Sequence, residues 1–192
     1  ASEIAGVLVT EQIFKGYLNV RGNPDEDAFA QTVGEALGCE LPREPNTVSS
    51  SFDRDPPPKA GVFVCWAGPD EWLVTTVSNT QTELLFRLKK ATAGLHAAVT
   101  DITGGYTTFR LDGLCVRDLL AKGCTLDLHP RSFHPGQCAQ TNVGKTGVML
   151  IPMRTDTDDH CFDLIVRRSF ADYLFRWIEH SSAEYGLRIS GN

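Results

Sequence analysis

Histidine is the side chain that most often binds a metal or moves a proton near neutral pH, and this sequence places two histidines in one loop. His129 and His134 lie five residues apart, and each stands directly before a proline. The prolines disfavour helical backbone at both positions, and no set of cysteines or carboxylates beside them completes a four-ligand zinc site. We therefore predict that the two histidines order the loop, with ligands from distant parts of the chain left open.

Three further motifs imitate known sites without completing them. Gly144-Lys145-Thr146 matches the end of a phosphate-binding loop, but the upstream glycine is missing and a strand pattern follows. Residues 156–160 lack the alternating ligands and central glycine of a calcium loop, so we interpret them as a solvated turn. The pair Gly104-Gly105 is typical of a hairpin. The residues alone show no assembled catalytic, cofactor-binding or metal site, which favours a binding or subunit role.

Both histidines belong to residues 108–136, a stretch that the pattern divides into strand, helix and loop. Residues 108–112 are predicted to form a strand, and a turn at Asp112-Gly113 leads into a helix over residues 114–122. The apolar stripe of this helix is Leu114, Val116, Leu119 and Leu120. Gly123 ends the helix, and the prolines of the following loop interrupt any regular element.

The remaining chain alternates single helices with groups of strands. Strands are predicted at residues 17–21, 60–67, 72–77, 97–103, 106–112, 137–142, 146–153 and 161–168. The strand at 106–112 includes residues 108–112 and is predicted to form a hairpin with 97–103. Helices are predicted from an N-cap at Asn23 to Gly38, over residues 80–95, and from Ser169 to Gly186. Because hairpins join most strands, the order predicts an α+β fold with antiparallel sheets and single helices packed on them.

A single domain is expected over residues 1–192, because the segment before residue 40 is too short to form a core alone. Residues 1–12 show no clear period and are interpreted as an arm or tail. Residues 40–59 hold five of the ten prolines. We interpret them as a long surface loop, with an interdomain linker as the alternative.

Composition excludes several classes of partner. The net charge of −6 disfavours binding to a nucleic-acid backbone. No run of about 18 apolar residues predicts a membrane span, and residues 1–12 lack the features of a secretion signal. The six cysteines include no C-x-x-C pair and are interpreted as reduced core residues. We therefore expect a cytoplasmic protein without nucleic-acid or membrane partners.

Several strings that are unusual together span about residues 17–186. They are Leu18-Asn19-Val20-Arg21-Gly22 with Pro24, Ala36-Leu37-Gly38, Leu41-Pro42 with Glu44-Pro45-Asn46-Thr47, Gly68-Pro69-Asp70-Glu71-Trp72-Leu73, residues 119–131 with Phe133, and Phe162-Asp163-Leu164 with Arg167-Arg168-Ser169-Phe170-Ala171-Asp172-Tyr173-Leu174. With these strings the chain resembles the gamma subunits of heterotetrameric sarcosine oxidases. It is also similar to the equivalent subunits of N-methylglutamate dehydrogenases.

A more distant resemblance concerns the folate-binding half of glycine-cleavage aminomethyltransferases. The motifs that follow that family's order are Asp101-Ile102-Thr103, Leu111-Asp112-Gly113, Asp118-Leu119-Leu120 and Asp127-Leu128. This resemblance implies a similar α+β fold. Those enzymes place an aspartate pair in a strand where it reaches folate, whereas the corresponding residues 147–150 here contain no carboxylate.

The closer resemblance implies a noncatalytic gamma subunit within an enzyme complex. Such a complex oxidatively demethylates sarcosine to glycine, with tetrahydrofolate as one-carbon acceptor and hydrogen peroxide as by-product. FAD, FMN and NAD are expected in the alpha and beta subunits and zinc in the delta subunit, with no cofactor in this chain. The expected partners are the alpha, beta and delta subunits, and direct contact is expected mainly with alpha.

The loop after residue 123 is the expected place of partner contact. Its Asp127, His129, Arg131 and Phe133 include the arginine and aromatic side chains that are enriched at interfaces. A loop that only packs within its own chain is the alternative. A second hypothesis is a free-standing folate-dependent one-carbon carrier that uses Asp101 or Asp127. A third is a binding module unrelated to one-carbon metabolism.

Overall fold

Strands with buried apolar side chains recur along this chain and build two sheets. The computed structural model describes residues 5–53, 61–77, 79–155 and 160–191. The chain divides into two compact units, one of residues 1–13 with 105–192 and the other of residues 14–104. The expectation of a single domain over residues 1–192 stays a prediction.

The elements follow one another in a mixed order of strands and single helices. In chain order they are β1 (Val7–Glu11), β2 (Gly16–Arg21), α1 (Asp27–Leu37), β3 (Val48–Ser50), β4 (Val62–Gly68), β5 (Glu71–Thr76), α2 (Gln81–Ala91), β6 (Ala98–Asp101), β7 (Tyr106–Gly113), α3 (Val116–Ala121), β8 (Ala139–Val143), β9 (Thr146–Met153), β10 (His160–Arg167), α4 (Ala171–Ser181) and β11 (Leu187–Ser190). No helix within the described ranges is long and apolar enough to cross a membrane.

The first unit contains a six-stranded sheet in the order β11-β1-β7-β10-β9-β8. Its strand pairs are antiparallel except for β1 with β11, which run parallel. Alternate strand residues face α3 and α4 and form one apolar core with them. The fully buried members of this core include Val7, Leu111, Leu119, Leu120, Leu150, Phe162, Leu164, Leu174 and Ile178.

The second unit contains a five-stranded antiparallel sheet in the order β3-β4-β5-β2-β6. Helices α1 and α2 pack on one face through Phe29, Val33, Leu84 and Leu88. Trp72 is fully buried in this core, where its ring lies 5.7 Å from that of Phe29. Its indole N–H donates to the carbonyl of residue 42 at 2.7 Å, which satisfies the buried polar group.

The α+β prediction with antiparallel sheets and single helices is confirmed. The strands of the hairpins β4–β5 and β8–β9 lie close to the predicted strands at 60–67, 72–77, 137–142 and 146–153. The second hairpin turns at Gly144-Lys145, with Gly144 in the left-handed region that this kind of turn requires. Gly38 ends α1 with a φ of 77°, as its position predicts.

The predicted starts of three helices are wrong, and the last of them, α4, begins at Ala171 rather than at Ser169. Asn23 does not cap α1, because its side-chain oxygen accepts the backbone N–H of Asp25 in a local turn, and Glu26 is the N-cap instead. Helix α3 begins at Val116 rather than at residue 114. Leu114 therefore lies outside the helical stripe and is 62% exposed.

The prediction that residues 1–12 form an arm is wrong for its second half. Strand β1 lies between β11 and β7 in the sheet, and its Val7 and Val9 are buried in the core. The last helix ends at Ser181, before the predicted end at Gly186, and the chain continues into β11. The parallel pairing of β1 with β11 joins two segments that are far apart in the sequence, so no local pattern predicts it.

The predicted hairpin about Gly104-Gly105 is also wrong. Strand β6 pairs with β2 in the second unit, whereas β7 pairs with β1 and β10 in the first. A tight two-residue hairpin of the I′ type needs positive φ angles, and neither Gly104 nor Gly105 has one. These residues instead form a single 3₁₀ turn with Thr103.

The Pro-rich segment 40–59 is not wholly a loop. Residues Val48–Ser50 form β3 at the edge of the second sheet, and Ser51–Asp53 form a 3₁₀ turn. The hydroxyl of Ser49 donates to the carbonyl of Glu40 at 2.5 Å, which closes the intervening turn. Residues 54–59 lie outside the described residues.

An ion pair joins the two central strands of the first sheet. Arg110 on β7 and Asp163 on β10 are directly opposite in the register. The guanidinium donates through Nε at 2.7 Å and Nη2 at 2.9 Å to the two carboxylate oxygens. Burial alone would lower the pKa of Arg110, but the hydrogen bonds and charge of Asp163 outweigh burial and raise it. Such a bidentate pair fixes the cross-strand geometry.

The substitution Asp163→Asn should lower the free energy of unfolding by about 3 kcal/mol, because it leaves the Arg110 charge without its partner. Urea unfolding measures this loss. The matched control is Asp172→Asn in the exposed Arg176–Asp172 pair, which should cost less than about 1 kcal/mol. Adding Arg110→Met to Asp163→Asn should restore part of the loss. Equal costs for the buried and exposed pairs would contradict a structural role for Arg110 and Asp163.

Candidate functional site

The loop that follows α3 is anchored in the core at two points and exposed between them. Leu128 and Phe133 are 6% and 4% exposed and belong to the core of the first unit. Asp127, His129 and Arg131 are exposed. The two apolar anchors therefore leave His129 and Arg131 exposed between them, and Asp127 exposed directly before the first anchor.

Arg117 of α3 holds this loop against the sheet. Its Nη1 donates to the carbonyl of Leu128 and, at 3.4 Å, to the carbonyl of Phe133. The guanidinium also lies 4.9 Å from the centre of the Phe162 ring, on which the Phe133 ring stacks at 6.3 Å. Desolvation by burial lowers the pKa of Arg117. Hydrogen bonds from a charged donor are stronger than neutral ones, so this contact is a firm tether.

Hydrogen bonds within the loop fix its tip. The carboxylate of Asp127 accepts the backbone N–H of His129 at 3.0 Å, and the carbonyl of His129 accepts the backbone N–H of Ser132 and Phe133. The ring Nδ1 of His129 accepts the backbone N–H of Arg131 at 3.2 Å, which requires a neutral Nδ1. The prediction that His129 orders the loop is confirmed.

His134 orders the next turn in a similar way. Its backbone N–H donates to the side-chain oxygen of Gln137 at 2.9 Å, and its ring Nδ1 lies 3.1 Å from the carbonyl of Pro135. That distance fits a ring whose Nδ1 carries the proton. Both histidines therefore bond to neighbouring backbone, and their loop role follows from local turn geometry.

The structure separates the four residues expected to contact a partner into two groups. Asp127, His129 and Arg131 share the exposed tip of the loop. Phe133 lies inside the core against Phe162, so it supports the loop and is not available on the surface. Contact with a partner stays a prediction, now narrowed to the three exposed residues.

The two carboxylates of the folate hypothesis lie in different units. Asp101 ends β6 in the second unit, is exposed and accepts the backbone N–H of Thr103 at 2.9 Å. Asp127 lies in the first unit and is tied to its own loop. Each carboxylate thus has a local structural partner in a turn.

A groove of about 1160 Å³ opens beside α1 in the second unit. Its lining comes from α1 and from residues 38–49, with several carboxylates among them. The loop residues Asp127, His129 and Arg131 belong to the first unit and do not line it. The groove and the loop are therefore separate features of the chain.

The residues that the structure describes, 5–53, 61–77, 79–155 and 160–191, include all five histidines and all six cysteines. Within those ranges, no group of three or more His, Cys, Asp or Glu side chains lies close enough together to hold a metal ion. The predicted solvated turn at residues 156–159 lies outside them. Four of the six cysteines, Cys65, Cys124, Cys138 and Cys161, are buried.

Sequence reasoning missed the role of Arg117. The residue is a charge between the apolar positions of α3, and that pattern alone does not indicate a contact with the loop. Its side chain bends back to the loop because two carbonyls there need donors. The role of Arg117 could have been inferred from two features together. The arginine directly follows a buried residue of a short helix, and the loop after that helix has two apolar residues that enter the core.

The substitution Arg117→Met should loosen the loop without emptying the space beside Phe162. The carbonyls of Leu128 and Phe133 lose a charged donor, so we expect the free energy of unfolding to fall by about 1–3 kcal/mol. Amide hydrogen exchange at Ser132 and Phe133 should become faster. Arg131→Met on the exposed tip is the control and should change stability by no more than about 0.5 kcal/mol. Unchanged exchange at both amides would contradict the tether.

The pKa of Asp127 should lie below its usual value of 3.8, because the Ser132 hydroxyl and the His129 N–H bond to the carboxylate. Since the folded pKa is depressed, the stabilising contribution is complete above the unfolded pKa and is lost as pH falls through the folded pKa. Carboxyl ¹³C NMR titration measures the pKa. Asp127→Asn should remove this acid dependence from the loop signals. A pKa at or above 3.8 would rule out the described hydrogen bonding.

Comparison with known proteins agrees with this architecture. A solved heterotetrameric sarcosine oxidase from Corynebacterium sp. U-96 matches 96% of this chain and 87% of its own chain, with a TM-score of 0.82 and 25% identity. The glycine cleavage aminomethyltransferase of Bartonella henselae matches 98% of this chain and 48% of its own at a TM-score of 0.71, and its 11% identity shows the fold alone.

Sequence comparison gives the same result. The sarcosine oxidase subunit gamma of Corynebacterium sp. (strain P-1) is 27% identical over 179 residues, which cover 93% of this chain and 81% of that protein. The model of the sarcosine oxidase gamma subunit family matches residues 21–184. That range spans both compact units. The chain therefore belongs to the sarcosine oxidase gamma subunit family.

Proposed function

We propose that this chain is the noncatalytic gamma subunit of a heterotetrameric sarcosine oxidase in the cytoplasm. The likeness to the solved heterotetrameric enzyme carries the proposal, because it extends over 96% of this chain at a TM-score of 0.82. The loop geometry supports it, since Asp127 and His129 bond to neighbouring backbone in a rigid turn. In this role the chain supports assembly, and the chemistry belongs to its partners.

The proposed complex demethylates sarcosine to glycine. The one-carbon unit passes to tetrahydrofolate, and oxygen is reduced to hydrogen peroxide. FAD, FMN and NAD are placed by this proposal in the alpha and beta subunits, and zinc in the delta subunit. The whole assembly is an oxidoreductase acting on a CH–NH group, and this chain contributes no cofactor to it.

The loop tip is the proposed contact with the alpha subunit. Its Asp127, His129 and Arg131 are exposed on a turn that is already fixed by the Arg117 tether. A preorganised loop loses little conformational freedom on binding, which favours affinity. Arginine is among the residue types that dominate binding energy at interfaces. A permanent contact between subunits would bury on the order of 2,000 Å² or more.

Purification of the tagged chain from its source cells at low salt tests assembly. Native mass spectrometry should show one copy of this chain with larger subunits, and the same fraction should have flavin absorbance. Sarcosine and N-methylglutamate assays distinguish the oxidase from the equivalent dehydrogenase complex. A colourless monomer that binds tetrahydrofolate would overturn the proposal in favour of a free-standing one-carbon carrier.

The loop contact has its own variant. Arg131→Glu should weaken association with the larger subunits by about tenfold or more, because it reverses the charge of an exposed side chain at the proposed contact. Arg87→Glu on the exposed side of α2 is the matched control. Equal affinity of both variants and the unsubstituted chain would place the contact elsewhere.

A further inference from the structure

A second exposed surface lies at the start of α4, in the first unit. Phe170, the N-cap of α4, is 48% exposed, and Tyr173 in the first turn of the helix is 37% exposed. Neither belongs to the apolar core, unlike Leu174 and Ile178 on the same helix. Arg167 and Arg168 come shortly before Phe170 in the sequence, and Lys145 lies in the β8–β9 turn. All three side chains are exposed. We call these five residues the α4 patch.

The β8–β9 turn fixes the position of Tyr173. The Tyr173 hydroxyl accepts the backbone N–H of Lys145 at 3.0 Å, which places the backbone of that lysine at the tip of the Tyr173 ring. A Cβ atom at Gly144 would lie 2.8 Å from this hydroxyl oxygen and 3.0 Å from the Trp177 ring. Gly144 therefore permits the close approach of the helix to the turn, and the patch is rigid at this end.

The other end of the patch is tied to the sheet. Nη2 of Arg168 donates to the carbonyl of Tyr106 on β7 at 2.8 Å. One turn further along α4, Arg176 pairs with Asp172 at 3.0 Å. The carboxylate of Asp172 thus already has a cation within its own helix. Tyr173 and Arg168 are thus each held by a hydrogen bond to another element of the first unit.

The charge of the patch is opposite to that of the whole chain. Lys145, Arg167 and Arg168 contribute three positive charges, whereas the chain carries a net charge of −6. Exposed aromatic rings beside arginines are the side chains that dominate binding energy at protein interfaces. Complementary charge selects a partner and speeds its encounter. A surface with these features fits an acidic segment that also presents apolar groups to the rings.

We propose that the α4 patch docks an acidic segment of a partner subunit. The carboxylates of that segment pair with Lys145, Arg167 and Arg168, and its apolar side chains cover Phe170 and Tyr173. This inference rests on the proposed subunit role and adds a contact distinct from the loop tip at Asp127, His129 and Arg131. The occupant is a polypeptide, and a second copy of this chain is an alternative that the experiment separates.

Carbodiimide cross-linking of the purified complex tests the chemistry directly. The carboxylate adds to the carbodiimide and forms an activated ester. The Lys145 amine attacks the carbonyl carbon of this ester and forms an amide. The reagent leaves as a urea, which carries the oxygen and protons of the water that is lost overall. Mass spectrometry should find Lys145 joined to an aspartate or glutamate of a larger subunit. Lys145→Arg keeps the charge and should abolish that cross-link alone. Linkage of Lys145 only to carboxylates of this chain would overturn the proposal.

A matched pair of double variants tests the binding contribution. Arg167→Glu with Phe170→Ser alters the patch, and Arg87→Glu with Phe86→Ser makes the same changes on α2, where Phe86 is 72% exposed. The patch variant should bind the larger subunits at least about tenfold more weakly and dissociate at lower salt. The α2 variant should match the unsubstituted chain. Circular dichroism confirms that both variants keep their helices.

The outcomes separate this inference from the subunit role itself. If the unsubstituted chain and both double variants assemble equally well, the proposed contact at the α4 patch is overturned and the subunit role stands. An unsubstituted chain recovered without larger subunits overturns the subunit role and this contact with it. A homodimer that only the patch variant dissolves overturns the acidic partner in favour of a second copy.

Discussion

The guanidinium of Arg117 is the interaction on which the exposed loop depends. It reaches two backbone carbonyls of the loop and at the same time covers the ring of Phe162 in the sheet below. Helix, loop and strand therefore meet at one charged group. Ordering a loop without regular structure costs conformational entropy, which many weak contacts would otherwise have to offset. The tether makes the loop tip a rigid surface.

The two sheets explain why such a surface can be rigid. Each unit has its own apolar core, built from alternate strand residues and the stripes of two helices. The bidentate pair of Arg110 and Asp163 adds fixed geometry between the central strands of the first unit. The α4 patch and the loop tip both project from this first unit. A chain whose fixed parts carry exposed polar and aromatic groups is suited to holding larger partners.

Local pattern predicted the elements that depend on neighbours in the chain. The end of α1 follows from Gly38, because this glycine takes a left-handed conformation that other residues rarely adopt. Pairings between distant segments could not be predicted. Strand β1 joins β11 from the opposite end of the chain, and Gly104-Gly105 resembles a hairpin although its flanking strands belong to different sheets.

The candidate site divides along the same line. The exposure of Asp127, His129 and Arg131 follows from a proline-rich loop pattern, which is local. The burial of Phe133 and the reach of Arg117 depend on Phe162, which is almost thirty residues beyond Phe133 in the sequence. A sequence pattern shows which residues could contact a partner, but only the packed core decides which of them remain on the surface.

Electron microscopy of the intact complex from the source cells tests the central claim most directly. The claim predicts one copy of this chain in an assembly of larger subunits, with Asp127, His129 and Arg131 at an intersubunit contact and every flavin bound outside this chain. An assembly that lacks this chain, or one in which a flavin lies within it, would contradict the claim.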